Sequence, residues 1–155
     1  MLLSDLGMRI LLIEDNPLKR EKISEFIDTF EEVQLSEAAS YNSGMNYLLA
    51  ESFDLLILDM SMPTFDRTDA SHGGRFRAVG GKEIAIRLSK LDRLVPFVVV
   101  SGYKDFSVGS QSLSIEQIDD SLRHIGSKYL GCIIFEAADS VWKEQLTEII
   151  GRRNL

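Results

Sequence analysis

The sequence predicts an α/β fold: a doubly wound, five-stranded parallel sheet with helices on both faces. Short apolar runs alternate five times with longer amphipathic stretches along the 155 residues. Strands that are joined through helices form parallel sheets with right-handed crossovers. Apolar residues make up 45% of the chain, which is enough to cover both faces of such a sheet. We therefore expect residues 1–155 to form a single domain of this class.

The first strand and the first helix are predicted near the amino terminus. Arg9–Glu14 is an apolar run that ends in an acid, as expected of a buried strand. Asn16 and Pro17 then begin a helix, because the missing N–H of proline costs nothing in a first turn. Four apolar residues recur at helical spacing along this helix: Ile23, Phe26, Ile27 and Phe30.

Two further strands and one helix continue the alternation up to the middle of the chain. Val33–Ala38 alternates apolar and polar residues, which predicts a weaker strand. Ser43–Glu51 predicts a second helix, capped from Ser40 or Asn42. Asp54–Leu58 is apolar after its first residue, and such a run is typical of a strand that is covered on both faces.

An irregular segment separates these elements from the second half of the chain. Residues 61–81 carry one proline, four glycines and several charges with little periodicity, which predicts a long loop. Long loops inside compact domains are usually functional or disordered. Beyond it, the sequence predicts helices at 82–91, 115–125 and 140–151, strands at 97–100 and 132–135, and a loop at 109–114.

Composition and charge exclude several classes of function. Lys and Arg total 17 against 24 Asp and Glu, a formal charge of −7, which argues against a nucleic-acid-binding surface. The single cysteine, Cys132, cannot form an internal disulfide or a cysteine-rich zinc site. The apolar stretch Leu2–Ile13 contains two charges and is too short to span a bilayer. We expect a cytoplasmic protein whose partners include neither nucleic acid nor a membrane.

Acidic residues follow two of the predicted strands. Glu14 and Asp15 come after the first strand and Asp59 after the third, at the sheet edge where parallel sheets carry their sites. Like-charged carboxylates about 4 Å apart cost roughly 4 kcal/mol per pair at an effective dielectric near 20. The cluster therefore predicts a bound divalent cation such as Mg²⁺. An aspartate in this setting can act as a nucleophile toward a phosphoryl group, whose oxygens the hydroxyl of Ser101 can reach from the fourth strand.

These motifs resemble the receiver domain of response regulators in two-component signalling. The matching segments are LLIEDNP with Glu14 and Asp15, DLLILDMSMP with Asp59, and VVVSGY with Ser101. The resemblance implies the flavodoxin-like strand order 2-1-3-4-5, with Asp59 as the phosphoacceptor and Ser101 as the switch hydroxyl. It also implies that Mg²⁺ is held by Glu14, Asp15, Asp59 and the backbone carbonyl of Ser61.

The chain departs from this family at the end of the fifth strand. Receiver domains usually place a lysine followed by a proline there, and the lysine pairs with the phosphoryl group. In CIIFEAAD the position is Phe135 or Glu136, depending on the alignment, and Glu136 would add a fourth carboxylate. A lost charge-assisted hydrogen bond is worth roughly 1.5–3 kcal/mol, which disfavours a phosphorylated state. The candidate substitute cations are Arg67, Arg75 and Lys104.

Two functions fit these expectations. The first is a stand-alone receiver domain, because the chain ends just after the last predicted helix. It would take a phosphoryl group from a histidine kinase or phosphotransfer protein and act by binding a downstream protein. The alternative is a pseudo-receiver adaptor that binds a partner protein without being phosphorylated. An enzyme such as an aspartate-based phosphohydrolase is not expected, because Ser61 stands where that class usually needs a second acid.

Overall fold

The computed structural model describes residues 7–153 and contains the expected parallel sheet with helices on both faces. In chain order, the elements are β1 (Met8–Ile13), α1 (Pro17–Ile27), β2 (Val33–Ala38), α2 (Tyr41–Ala50), β3 (Leu55–Leu58), β4 (Met62–Pro63), β5 (Phe76–Arg77), α3 (Gly80–Lys90), β6 (Phe97–Ser101), β7 (Asp105–Val108), β8 (Gln111–Ser114), α4 (Ile115–Arg123), β9 (Tyr129–Ile134) and α5 (Val141–Arg153). The main sheet has the order β2-β1-β3-β6-β9. Counting only these five strands gives 2-1-3-4-5, so the predicted fold class and strand order are confirmed.

Two apolar cores cover the two faces of the sheet. On one face, α1 and α5 pack through the buried residues Ile23, Ile27, Trp142, Leu146 and Ile150. On the other face, α2, α3 and α4 pack through Met45, Leu48, Ile84, Leu88, Ile118 and Leu122. The central strands are apolar on both sides because both of their faces are covered. Within residues 7–153, no helix combines the length and the apolar character that crossing a membrane requires.

Residues 61–79, which we name the arm, form a β-hairpin where the sequence predicts an irregular loop. Its strands β4 and β5 pair antiparallel. The pairing continues where the N–H of Phe65 donates to the carbonyl of Gly73 at 2.8 Å. Gly73 has φ +91° and Gly74 has φ +70°, a region that glycine adopts without strain. Because each strand is only two residues long, the hairpin leaves no alternation in the sequence, and α3 begins at Gly80, two residues before the predicted start.

Helix α2 anchors the arm near the strand ends. One carboxylate oxygen of Asp66 accepts hydrogen bonds from the hydroxyls of Ser40 and Ser43, at 2.6 and 2.7 Å. Ser40 is also the N-cap of α2, which decides between the two caps that the sequence allowed. The arm is therefore tied, through Asp66, to the helix that follows β2.

A second hairpin, formed by β7 and β8, lies between β6 and α4. The sequence predicts a loop at 109–114, but only Gly109 and Ser110 form the turn, and the residues on both sides pair as strands. Gly109 has φ +63°, as a tight hairpin turn requires. Phe106 of β7 is buried in the core beneath α4, and this burial holds the hairpin against the domain.

Helix α3 starts in direct contact with the end of β3. A Cβ atom added to Gly81 would lie 2.3 Å from the carbonyl oxygen of Asp59. The N–H of Gly81 donates to the carbonyl of Met60 at 2.9 Å. Only glycine permits this approach, so the backbones of α3 and of the Asp59 segment touch without a side chain between them.

Candidate functional site

The three acids predicted from the sequence converge at the carboxyl ends of β1 and β3. Glu14 and Asp15 directly follow β1, and Asp59 directly follows β3. The N–H of Asp59 donates to the carbonyl of Ile13 at 3.0 Å, which aligns the two strand ends. One carboxylate oxygen from each acid lies within 4.8 Å of the others. Glu14 and Asp59 are buried and Asp15 is half-buried, so their charges interact in a region with little water.

A lysine that sequence reasoning missed lies inside this acid cluster. The Nζ atom of Lys19 is 2.6 Å from Oε1 of Glu14 and 3.1 Å from Oδ1 of Asp59. It also donates to the backbone carbonyl of Val100 at 2.7 Å. These three contacts match the three donors of an ammonium group. Lys19 is only 9% exposed, so its charge is buried together with its partners.

The start of helix α1 positions Lys19. Asn16 caps the helix by accepting a hydrogen bond from the N–H of Lys19 at 3.1 Å, and Pro17 is the first helical residue. Lys19 stands four positions before Ile23 and eight before Ile27, and all three are buried on one face. The sequence contained this signal, because extending the apolar face of α1 back by four residues reaches Lys19.

Burial and mutual repulsion set the protonation of the cluster. Burial, together with the neighbouring Asp59 carboxylate, raises the pKa of Glu14 to about 8, although Lys19 acts in the opposite direction. Burial also raises the pKa of Asp15 against the opposing effect of Arg67. Burial disfavours the charge of Lys19, but Asp59 and Glu14 outweigh it and raise the pKa of Lys19. Lys19 therefore stays charged, and Glu14 holds a proton near neutral pH when no other cation is bound.

The arm contributes a second cation at the rim of the cluster. Nη1 of Arg67 lies 2.7 Å from Oδ2 of Asp15. The Arg67 side chain is 50% exposed, so this pair is worth on the order of 1 kcal/mol or less. The other two candidate substitutes, Arg75 and Lys104, are exposed and form no ion pair with any residue in the range 7–153. Of the three, only Arg67 reaches the acids.

The two predicted serines lie in different surroundings. Ser61 lines the cleft above the acids, and its hydroxyl donates to the carbonyl of Ala78 at 2.7 Å. Ser101 is fully buried. Its hydroxyl donates to the carbonyl of Tyr103 at 2.8 Å and accepts from the N–H of Tyr103 at 3.1 Å. The structure thus brings Ser61 to the acid cluster, whereas the Ser101 hydroxyl is bonded within its own turn.

Phe135 directly follows β9, the fifth sheet strand, and lines the cleft. Its N–H donates to the carbonyl of Ser101 at 2.8 Å, and its ring centre lies 5.9 Å from Nζ of Lys19. The centre of this ring also lies 5.0 Å from that of the Trp142 ring. Glu136 is exposed and does not line the cleft. Of the two positions that the sequence left open, Phe135 is the one in the site, and no fourth carboxylate enters it from this strand.

The cleft above the cluster has a volume of about 570 Å³. Its donors fit Mg²⁺, because that cation prefers oxygen ligands, accepts a few carboxylates and keeps several waters. Three carboxylates within 4.8 Å supply such ligands, and the open cleft leaves room for water. Lys19 and Arg67 already contact Glu14, Asp15 and Asp59, so a metal ion would share these carboxylates with two resident cations.

Comparisons with known proteins agree with this geometry. Residues 10–73 match the family model of the response regulator receiver domain. The Detocs response regulatory protein DtcB of Enterobacter cloacae is 23% identical over 150 residues, which cover 92% of this chain and 98% of that protein.

Two solved structures share the fold along nearly the whole chain. The CheY-like receiver domain protein of Methanospirillum hungatei has a TM-score of 0.64 at 19% identity, covering 96% of this chain and 94% of that one. The response regulator TrrA of Thermotoga maritima, solved in complex with Mg(2+)-BeF, has a TM-score of 0.64 at 18% identity, covering 94% and 98%. The chain therefore matches the response-regulator receiver domain over residues 10–73 and shares the fold of CheY-like receiver domains, and Phe135 directly follows its fifth sheet strand, where that family usually has a lysine.

Proposed function

We propose that this chain is a stand-alone receiver domain that accepts a phosphoryl group on Asp59 in a phosphorelay. The observation that carries the proposal is the convergence of Glu14, Asp15 and Asp59 within 4.8 Å beneath an open cleft. We further propose that the chain signals and is not an enzyme. Ser61, two positions after Asp59, leaves that place without the second acid that a phosphohydrolase of this kind needs.

The contacts of Asp59 distinguish its two carboxylate oxygens. Oδ1 accepts hydrogen bonds from Lys19 at 3.1 Å and from the N–H of Met60 at 2.8 Å. Oδ2 is then the oxygen that attacks phosphorus. A P–O bond forms as the P–N bond of a phosphohistidine donor breaks, and the electron pair of that bond returns to the imidazole nitrogen. The donor ring, which carries a proton on its other nitrogen, leaves as a neutral imidazole, and the phosphoryl group remains on Asp59.

The acids around Asp59 are the proposed metal ligands. Glu14, Asp15, Asp59 and the backbone carbonyl of Ser61 would hold Mg²⁺. When bound, the ion supplies positive charge to the phosphoryl oxygens. The TrrA structure in complex with Mg(2+)-BeF supports this assignment by analogy, since that protein shares the fold.

Ser101 is the proposed switch hydroxyl. Its present bonds to Tyr103 must break before it can donate to a phosphoryl oxygen. Phosphorylation would therefore rearrange the turn after β6, and Tyr103 is one of the most exposed apolar residues of the described chain. This is a local change that can alter a binding surface.

Exposed apolar residues at the rim of the cleft favour contacts with other proteins, both the phosphoryl donor and the downstream target. Leu18 is 71% exposed, Tyr103 is 69% exposed and Phe76 is 54% exposed, and all three line the cleft. Exposed apolar side chains around a polar site are typical of a protein contact. A histidine kinase or phosphotransfer protein would supply the phosphoryl group here, and a downstream protein target would receive the output. The free Cys132 suits the reducing cytoplasm, where we place the protein.

Intact-mass measurement after incubation with acetyl phosphate and Mg²⁺ tests this function. We expect wild-type protein to gain one phosphoryl group and Asp59→Asn to gain none. Asp54→Asn is the matched control, because Asp54 precedes the same strand at its opposite end and is exposed. Wild-type protein that gains no mass would contradict the proposal and favour the unphosphorylated adaptor. Equal gain in wild type and Asp59→Asn would place the acceptor elsewhere.

A further inference from the structure

Phe135, the residue after the fifth sheet strand, stands where the receiver family usually has a lysine, so this position supplies no cation. Phe135 lines the cleft there, and its side chain can neither neutralise nor hydrogen-bond a phosphoryl oxygen. A phosphoryl group brings about −1.5 to −2 charges into a cleft that already holds three carboxylates. We propose that Lys19, reaching in from helix α1, replaces the missing lysine as the cation that binds the phosphoryl group on Asp59. This inference rests on the proposed function of Asp59.

The contacts of Lys19 span the strand ends where the phosphoryl group would form. Its Nζ touches Glu14 after β1, Asp59 after β3 and the carbonyl of Val100 in β6. The Val100 contact, at 2.7 Å, anchors the ammonium between β3 and β6. From this position Nζ already donates to the acceptor residue itself. An oxygen of a phosphoryl group on Asp59 can therefore replace one carboxylate contact without a shift of α1.

Phe135 and Lys19 behave as one unit. The ring centre of Phe135 lies 5.9 Å from Nζ, within the range in which an aromatic face attracts an ammonium group. Trp142 packs against the same ring at 5.0 Å and holds it in place. A lysine at position 135 would bring a second ammonium toward the same acids and repel Lys19. The site therefore has room for one such cation, which comes either from Lys19 beside Phe135 or from a lysine at position 135.

Arg67 does not fill this role. Its guanidinium binds Asp15 at the rim and is half exposed to water, whereas Lys19 is buried against the acceptor. Arg67 is also carried by the arm, while Lys19 belongs to a capped helix that packs on the sheet. Of these two cations, only Lys19 combines contact with Asp59, burial and a fixed backbone. It donates hydrogen bonds and transfers no proton in the reaction.

The rate of phosphoryl uptake from acetyl phosphate with Mg²⁺, followed by intact mass, tests the assignment. We expect Lys19→Met to slow uptake about tenfold or more, because it removes a charge-assisted hydrogen bond. Methionine keeps the length of the apolar stem, which favours folding. Lys104→Met is the matched control, an exposed lysine outside the cleft, and should stay within about twofold of wild type. Lys19→Met/Phe135→Lys should recover most of the lost rate, and it carries the same test if Lys19→Met fails to fold.

A Mg²⁺ titration followed by the emission of Trp142, the only tryptophan, gives a second readout that needs no phosphoryl transfer. Removing Nζ frees the carboxylates of Glu14 and Asp59, so Lys19→Met should bind Mg²⁺ several-fold more tightly than wild type and Lys104→Met. A purely structural role would lower stability without this gain in affinity. Unchanged uptake or unchanged Mg²⁺ affinity in Lys19→Met would overturn the assignment of Lys19 alone. No uptake by wild-type protein would instead refute the proposed function, and the assignment with it.

Discussion

The carboxyl-end edge of the sheet has two halves with different residues: acids follow β1 and β3, whereas a serine and a phenylalanine lie at the ends of β6 and β9. At β1 and β3, the acids lie where the motifs predict them, aligned by the parallel pairing of Ile13 with Leu58. At β6 and β9, the Ser101 hydroxyl is bonded to its own turn, and the aromatic residue Phe135 directly follows the fifth sheet strand. The first half can present a nucleophile and metal ligands. In the family, the second half supplies the hydroxyl and the lysine that contact the phosphoryl group. Here, by our proposal, Lys19 of α1 supplies the cation instead.

The largest expected effect is on the pH dependence of the unfolding free energy, to which Glu14 in the first half should contribute and Glu136 in the second half should not. The folded protein raises the pKa of Glu14 from 4.5 to about 8, so it retains a proton that the unfolded chain releases between these values. Stability from this group is therefore fully present below the lower pKa and is lost as the pH rises toward the higher one. Without metal, we expect the unfolding free energy to fall by on the order of 1–3 kcal/mol as the pH rises from about 5 to about 8, because of Glu14.

Urea denaturation in the presence of a chelator measures this difference. Glu14→Gln, which imitates the protonated carboxyl, should flatten the pH dependence relative to wild type. Glu136→Gln should leave it unchanged, because Glu136 is exposed. Three identical pH profiles would show that Glu14 ionises normally and that the first half carries no strained charge.

A smaller effect is expected at the ion pair between the arm and the first half. Arg67→Ala removes a competitor for Asp15, so Mg²⁺ should bind about two- to threefold more tightly, in keeping with the small worth of an exposed pair. Isothermal titration calorimetry measures the affinity. Arg75→Ala, on the same arm but exposed and outside the cleft, is the control. Weaker binding in Arg67→Ala would mean that Arg67 organises the acids instead of competing for them.

The smallest effect on phosphoryl uptake is expected from Ser101→Ala in the second half. Its hydroxyl serves the turn at Tyr103, so the variant should lose about 1 kcal/mol of stability. Because the hydroxyl does not contact the acids before transfer, the rate of uptake from acetyl phosphate should change by less than about twofold. A tenfold drop in the uptake rate would show that the Ser101 hydroxyl already faces Asp59 in solution. The second half would then contribute to phosphoryl transfer directly, as the first half does.

The sequence predicted the first half well because its signals are local. An apolar run that ends in an acid identifies both a strand and the residue at its carboxyl end, and parallel pairing then brings Asp15 and Asp59 together. Lys19 was missed because its partners come from three different strands. A lysine one turn before a buried isoleucine also resembles a solvated residue until the sheet edge is in place.

The two hairpins were missed for a different reason. The arm pairs strands of two residues each, and its position depends on Asp66 meeting the serines at the start of α2. Neither feature leaves a period in the sequence. In the second hairpin, one buried side chain, Phe106, decides the structure, and its flanking residues read as loop. Tertiary contact, not local preference, forms both segments.

The contact between Gly81 and Asp59 couples the backbone at the end of β3 directly to α3. With 2.3 Å between an added Cβ and the Asp59 carbonyl, no compressible side chain separates the end of β3 from α3. Interfaces packed this tightly shift between discrete arrangements and do not deform smoothly. A displacement of the Asp59 backbone would therefore be transmitted directly to the start of α3, so the position of this helix would follow any change at Asp59.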